Sequence, residues 1–259
     1  MSEFVQAAVL GIVEGITEFL PVSSTGHLLI AEHWLGRRSE LFNVAIQAGA
    51  ILAGVVVFWP RLMQLLWGLK EPHNRDYLAK LVLAFAITSV GGLIAKRLGA
   101  ELPKTVAPIA WALIVGGVVI LYIEWLVAKR AIATEVTWSV AIWVGACQIL
   151  AGVFPGTSRS AATIFAAMLA GLTSRPAATE FAFLVGIPTM FAATAYEFLK
   201  LPRGSAAAED WNAFAIAFVV SAVVAFIAVK WLLRYVQTHR FTLFAWYRIA
   251  AGVALLAFV

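Results

Sequence analysis

Ten apolar segments, parted by short polar connectors, make up most of this chain: roughly 4–20, 23–35, 41–59, 78–95, 106–127, 137–154, 158–171, 177–199, 213–233 and 243–259. Runs of about 20 apolar residues match a hydrocarbon core of about 30 Å at about 1.5 Å of rise per residue. Inside that layer each run must satisfy its own backbone N–H and C=O groups. Continuous apolar runs do so as helices. The sequence therefore predicts an all-α integral membrane protein. A 62% hydrophobic, 13% charged composition and a mean hydropathy of +0.90 agree.

The formal charge of +5 does not point to nucleic acid. Lys and Arg gather in the connectors, as they do in membrane loops. Cys147 is the single cysteine, so no intramolecular disulfide forms, and it reads as a small buried hydrophobe. The opening "MSEFVQAAVLGIVEGITEFL" lacks a basic leader and carries Glu14 in its apolar stretch, so it is expected to stay in the mature protein.

The second and seventh segments are too short to span. Each follows its predecessor through a tight proline-containing turn, "FLPVSST" and "VFPGTSR". Two re-entrant helical hairpins explain both. An offset of 134 residues then lays Pro21 on Pro155, Ser24 on Ser158 and Gly11 on Gly145. The expected architecture is a single membrane domain over 1–259 built as an inverted repeat, about 1–130 and 131–259. Each half holds one re-entrant hairpin and three transmembrane helices, a transporter-like plan with its site between the repeats. Arg37, Arg38, Lys96, Arg97, Lys104, Lys200 and Arg203 fall on one side, with ten other basic residues on the opposite side. That slight excess predicts both termini outside.

Scarce polar groups concentrate at the hairpins. Glu14 and Glu18 share a helix face, where like charges repel unless a cation or a proton intervenes. A divalent ion, Mg²⁺ or Ca²⁺, is one solution; one protonated glutamate, or helix-end residues reaching water, is the alternative. After Pro21, "VSSTGH" supplies Ser23, Ser24, Thr25, Gly26 and His27 at the start of a helix, where free N–H groups attract anions. His27 is either a structural or a catalytic histidine on this pattern alone. The matching "PGTSRSAATI" offers Thr157, Ser158, Arg159, Ser160 and Thr163. Arg159 suits bidentate phosphate recognition, or an ion pair with Glu14 or Glu18. Together the tips read as a site for a metal-bound phosphate or pyrophosphate inside the membrane. Gln148 aligns with Glu14 and is a candidate pocket residue, while Glu180 pairs with Arg175 or with a site group, the structural role being favoured.

The stretches "EGITEFLPVSSTGHL" and "PGTSRSAATI" resemble the undecaprenyl pyrophosphate phosphatases, also called the bacitracin-resistance family. Length and segment layout carry the resemblance over essentially the whole chain. The second stretch has Ala161 where that family usually has glycine, a methyl expected to tighten the tip. The resemblance implies a multi-pass enzyme of the bacterial inner membrane with its active site and both termini facing the periplasm. Its implied reaction is hydrolysis of undecaprenyl pyrophosphate to the monophosphate and inorganic phosphate, which recycles the carrier lipid for cell-wall synthesis and confers bacitracin resistance.

By the same resemblance Glu14 and Glu18 bind a divalent metal and the pyrophosphate. Ser24 matches the proposed nucleophile, either forming a phospho-enzyme or only positioning water, with His27 its proposed acid–base partner and Arg159 the phosphate-binding arginine. Ser23, Thr25, Gly26, Ser158 and Ser160 complete the substrate site. The implied partners are a polyprenyl pyrophosphate lipid and the bilayer, with a homodimer among the assemblies it allows. A lipid flippase or small-molecule transporter is the competing reading of the same inverted repeat.

Overall fold

In the computed structural model, which describes residues 2–100, 106–200 and 210–258, ten α-helices follow one another with no strand among the described residues. The first half holds α1 (Glu3–Thr17), α2 (Ser24–Leu35), α3 (Glu40–Trp67), α4 (Pro72–Arg97) and α5 (Val106–Val127). The second holds α6 (Trp138–Val153), α7 (Arg159–Leu169), α8 (Arg175–Lys200), α9 (Trp211–Thr238) and α10 (Thr242–Phe258). Each apolar segment of the sequence thus carries one helix. Some are longer than the apolar pattern suggests. Helix α3 continues through Pro60 to Trp67, and α4 begins at Pro72, where a proline's missing N–H leaves no intrahelical bond unmade.

Five helices, α3, α4, α5, α8 and α9, are long and apolar enough to cross a bilayer. The chain is therefore a multi-pass, all-helical membrane protein. Helix α10, expected as a sixth full span, has 17 residues, or about 26 Å at the usual rise. Helices α2 and α7 are shorter still, with 12 and 11 residues.

Charged pairs lie at the helix ends. Arg38 donates to Glu3 (2.7 Å) and Lys96 to Glu197 (3.1 Å), while Arg61 pairs with Glu180 (2.9 Å) and Arg175 with Glu124 (2.5 Å). The expected Glu180–Arg175 pair is thus not made. Glu124, almost wholly buried and close to Phe241 N (2.9 Å), is the partner that holds Arg175. Of the basic residues assigned to sides, Lys104 and Arg203 lie outside the described residues.

Small residues set the tightest helix crossings, as apolar surroundings favour. Helix α1 packs on α9 with Gly11 at the contact, where an added Cβ would stand 2.6 Å from the Ala217 carbonyl oxygen. Helix α6 packs on α4 through Gly145, whose Cβ would stand 2.8 Å from the Ala84 oxygen. In each case the obstacle is backbone, which cannot rotate away. Gly11→Val and Gly145→Val should each destabilise by about 1–3 kcal/mol, read as a lower melting temperature in detergent. An unchanged melting temperature would show that these crossings have slack.

Helix α7 is buried nearly all round, with Ile164, Phe165 and Met168 in the main core beside Phe181 and Phe183 of α8. Helix α2 buries only Gly26 and Glu32. The second short helix is therefore a core element, whereas the first lies at the edge of the bundle. Cys147 is half-buried against the same core.

Candidate active site

Two turns, one after α1 and one after α6, bring their following helices to a common point. The N-caps of α2 and α7 are Ser23 (φ 78°) and Ser158 (φ 69°), the two non-glycine residues with positive φ among those described. A left-handed serine is disfavoured and persists only where its surroundings fix it. Ser23 Oγ accepts from Gly26 N (3.4 Å), and Ser158 Oγ accepts from Ala161 N (3.3 Å). The equivalent caps are thus Ser23 and Ser158. The offset that lays Ser24 on Ser158 fails by one residue here, because the second turn has an extra residue between its proline and its cap.

Ser160 bridges the turns. Its hydroxyl donates to the Leu20 carbonyl (2.9 Å) and lies 3.0 Å from Ser158 Oγ. A small cleft remains between them, lined by Glu18, Ser23, Ser24 and Thr25 around the first turn, by Ala151 near the end of α6, and by Pro155, Gly156, Ser158 and Arg159 around the second turn. Gln47 of α3 closes one wall. Ser24 Oγ donates to Glu18 Oε2. Arg159 starts α7 with Nη1 buried and unpartnered, and it makes no ion pair with a carboxylate among the described residues. The ion pair offered as the alternative for Arg159 is therefore absent.

An adjoining, wider cleft shares Ser24, Thr25 and Gln47 and adds Glu14, Glu32 and Asn43. Glu14 is 1% exposed and its Oε2 has no hydrogen-bond partner among the described residues. Asn43 donates to Glu32 (2.9 Å).

Several expected residues stand apart from these clefts. His27 lines neither: its Nδ1 meets the Ser23 carbonyl (2.7 Å) and its Nε2 the Tyr247 hydroxyl (2.6 Å). Both ring nitrogens are engaged away from Ser24, and Glu18 takes the position next to the hydroxyl. Gly26 serves close packing, since a Cβ there would stand 3.0 Å from Ile109 of α5. Gln148 is buried, both its amide atoms are without a partner among the described residues, and it lines neither cleft. The Ala161 methyl joins the hydrophobic core rather than the cleft, so it does not narrow the opening. Thr163 caps its own helix turn, donating to the Arg159 carbonyl (2.8 Å).

Sequence reading missed Arg248 and Tyr247. Arg248 is fully buried in α10 and donates to both turns. The signal was present: an arginine inside the run "FTLFAWYRIAAGVALLAF" is as costly as Arg159 and invites the same question.

The fold and the clefts define a class: a multi-pass helical membrane protein with a polar cavity enclosed between two helix starts. The chain belongs to the bacitracin resistance protein BacA family, whose sequence model matches residues 7–254. It is similar to a protein of Rhizobium etli (strain CIAT 652) named undecaprenyl-diphosphatase, with 64% identity over 255 residues, 98% of this chain and 96% of the other. Proteins of the same name from Stenotrophomonas maltophilia (strain K279a) and Xanthomonas oryzae pv. oryzae (strain PXO99A) are 58% and 55% identical over 257 residues, 99% of this chain and 97% of each.

Proposed function

We propose that this protein hydrolyses undecaprenyl pyrophosphate to undecaprenyl phosphate and inorganic phosphate, with the reaction in the cleft between the two turns. The observation that carries the site assignment is the unpartnered, buried Nη1 of Arg159, which shares a cleft with the Ser24–Glu18 pair. A guanidinium without a counterion in an apolar bundle calls for an anion. Hydroxyls and helix N-termini around it suit a phosphate.

In this reading Glu18 takes the Ser24 proton as Oγ attacks the terminal phosphorus. The bond to the bridging oxygen breaks and undecaprenyl phosphate leaves with the electron pair. Water then hydrolyses the phosphoserine. Arg159 and the N–H groups of α2 and α7 hold the equatorial oxygens, where phosphoryl transfer needs positioning and charge stabilisation. His27 holds the Ser23 turn through its carbonyl. The relatives' shared name supports the substrate, and it lends nothing to the flippase reading.

A divalent ion at Glu14 and Glu18 is part of the proposal. The orphaned Glu14 Oε2 and the oxygen-only donor set fit a hard cation. Among the described residues no three His, Cys, Asp or Glu side chains gather to hold an ion alone, so pyrophosphate oxygens would complete the shell, as is usual for Mg²⁺. When bound, the ion would neutralise charge on those oxygens. Glu14→Gln should then raise the half-activating metal concentration at least about tenfold. An unchanged half-activating concentration with full maximal rate would remove Glu14 from the metal.

An inverted repeat of two re-entrant hairpins and six spans accounts for these helices. Lengths run in parallel through the halves, α1 to α5 matching α6 to α10 in order. The α1–α9 contact has its counterpart in α6–α4, and α3–α9 in α8–α4. Bonds at the helix ends fit an opposed entry: Lys80 donates to the Val136 carbonyl just before α6, whereas Arg38 reaches Glu3 in α1. On this plan the cleft opens to the periplasm of a bacterial inner membrane. Purified protein in detergent should release inorganic phosphate from undecaprenyl pyrophosphate and lose that activity with a chelator. No release from folded protein would overturn the assignment.

A further inference from the structure

Arg248 sits wholly buried in α10, and the chemistry above gives it no task. Burying a guanidinium is strongly unfavourable unless its donors are met. Here all five are met, and every acceptor is a backbone carbonyl. Nη1 donates to Pro21 (3.2 Å) and Thr157 (3.1 Å), Nη2 to Ala112 (3.0 Å) and Gly156 (3.0 Å), and Nε to Leu113 (3.5 Å). These carbonyls belong to the first turn, the second turn and α5. No donor is left for a ligand, so Arg248 does not itself hold substrate.

The acceptors stand where they matter. Pro21 precedes the start of α2, and Gly156 with Thr157 precede the start of α7. A carbonyl turned into the cleft would point its negative end at an incoming phosphate and offset the N–H groups that attract it. We infer that Arg248 is a positioning residue: it turns these carbonyls away from the cleft and fixes the spacing of the two helix starts. Ser24 and Arg159 then meet the same pyrophosphate. The activity arm of this inference rests on the phosphatase reading; the spacing arm does not.

Gly116 of α5 belongs to the same arrangement. A Cβ there would stand 2.8 Å from Arg248 Cζ and 3.1 Å from Nε. The guanidinium tip could move for a methyl elsewhere, but five hydrogen bonds hold it in place. Two variants therefore disturb the clamp by different routes. Arg248→Lys keeps a charge but offers three donors that cannot span five planar-arranged carbonyls. Gly116→Ala keeps the arginine and displaces it.

The test uses the full chain in detergent with Cys147→Ala, and spin labels at Leu29 of α2 and Ala162 of α7. Both variants should lower kcat at least about 10²-fold per folded molecule, with KM changed less than about threefold. Both should also broaden or shift the Leu29–Ala162 distance distribution. A purely structural role would lower the melting temperature yet leave the turnover of folded molecules unchanged. A folded variant with near-wild-type kcat, or lost turnover with an unaltered distance distribution, overturns the inference. If Arg248→Lys does not fold, Gly116→Ala decides it. If the parent protein releases no phosphate, the phosphatase reading fails and the distance distribution still decides the positioning role.

Discussion

Arg159→Lys is expected to lower undecaprenyl pyrophosphate hydrolysis by about 10²–10³-fold, the usual effect of losing one preorganised donor to transition-state charge. The substitution keeps a positive charge, so it separates two roles. A guanidinium presents a rigid planar fork that can bind two phosphate oxygens at once, whereas an ammonium is a compact point charge. Arg159 forms no ion pair among the described residues and leaves Nη1 free beside Ser24 and Glu18. No direct ion pair therefore occupies its guanidinium in the empty protein. The loss should fall mainly on kcat, measured on protein with an unaltered melting temperature. Near-wild-type turnover by the lysine variant would remove the clamp and detach the second turn from the chemistry.

Ser24→Ala should reduce turnover still further, by at least about 10³-fold, as for nucleophiles elsewhere. The hydrogen bond from Ser24 Oγ to Glu18 Oε2 makes the two act as one unit. Residues that act together lose their contribution together, so effects should not add. Glu18→Gln alone should come close to the loss from Ser24→Ala, and the double variant should be little worse than either. Multiplying losses in the double variant would mean that Glu18 acts apart from Ser24. His27→Ala offers the contrast. Its ring holds the Ser23 carbonyl and meets Tyr247, so Tyr247→Phe should reproduce part of its effect, whereas a base acting directly on Ser24 would not depend on Tyr247.

Much of this was legible in the chain. Ten apolar runs became ten helices because a bilayer core leaves a long apolar segment few other forms. Glu18, Ser23, Ser24, Thr25, Ser158 and Arg159 line one cleft because polar groups in so apolar a sequence gather where they can satisfy one another. What failed depended on contacts between distant segments. The one-residue slip between the serine caps is a matter of turn geometry, which a fixed offset cannot register. Glu180 found Arg61 rather than Arg175 because α3 and α8 lie side by side, as Thr194 and Gln47 also show (3.4 Å). His27 carries no mark in the sequence of the tyrosine 220 residues away that holds its Nε2. Arg248 was visible as a buried charge, but its five acceptors come from three separate segments.

The central claim is that one phosphorylated ligand binds between both turns. Thr25 at the start of α2, after the first turn, is exposed and Ala151 near the end of α6, before the second, is half-buried, and both line the cleft. Thr25→Cys and Ala151→Cys, each in a Cys147→Ala background, can be labelled with a water-soluble thiol reagent while a methylene-bridged, non-hydrolysable analogue of undecaprenyl pyrophosphate is titrated. The analogue is expected to protect both cysteines, with the same half-protecting concentration. Protection of one cysteine at a concentration that leaves the other fully reactive would contradict the claim.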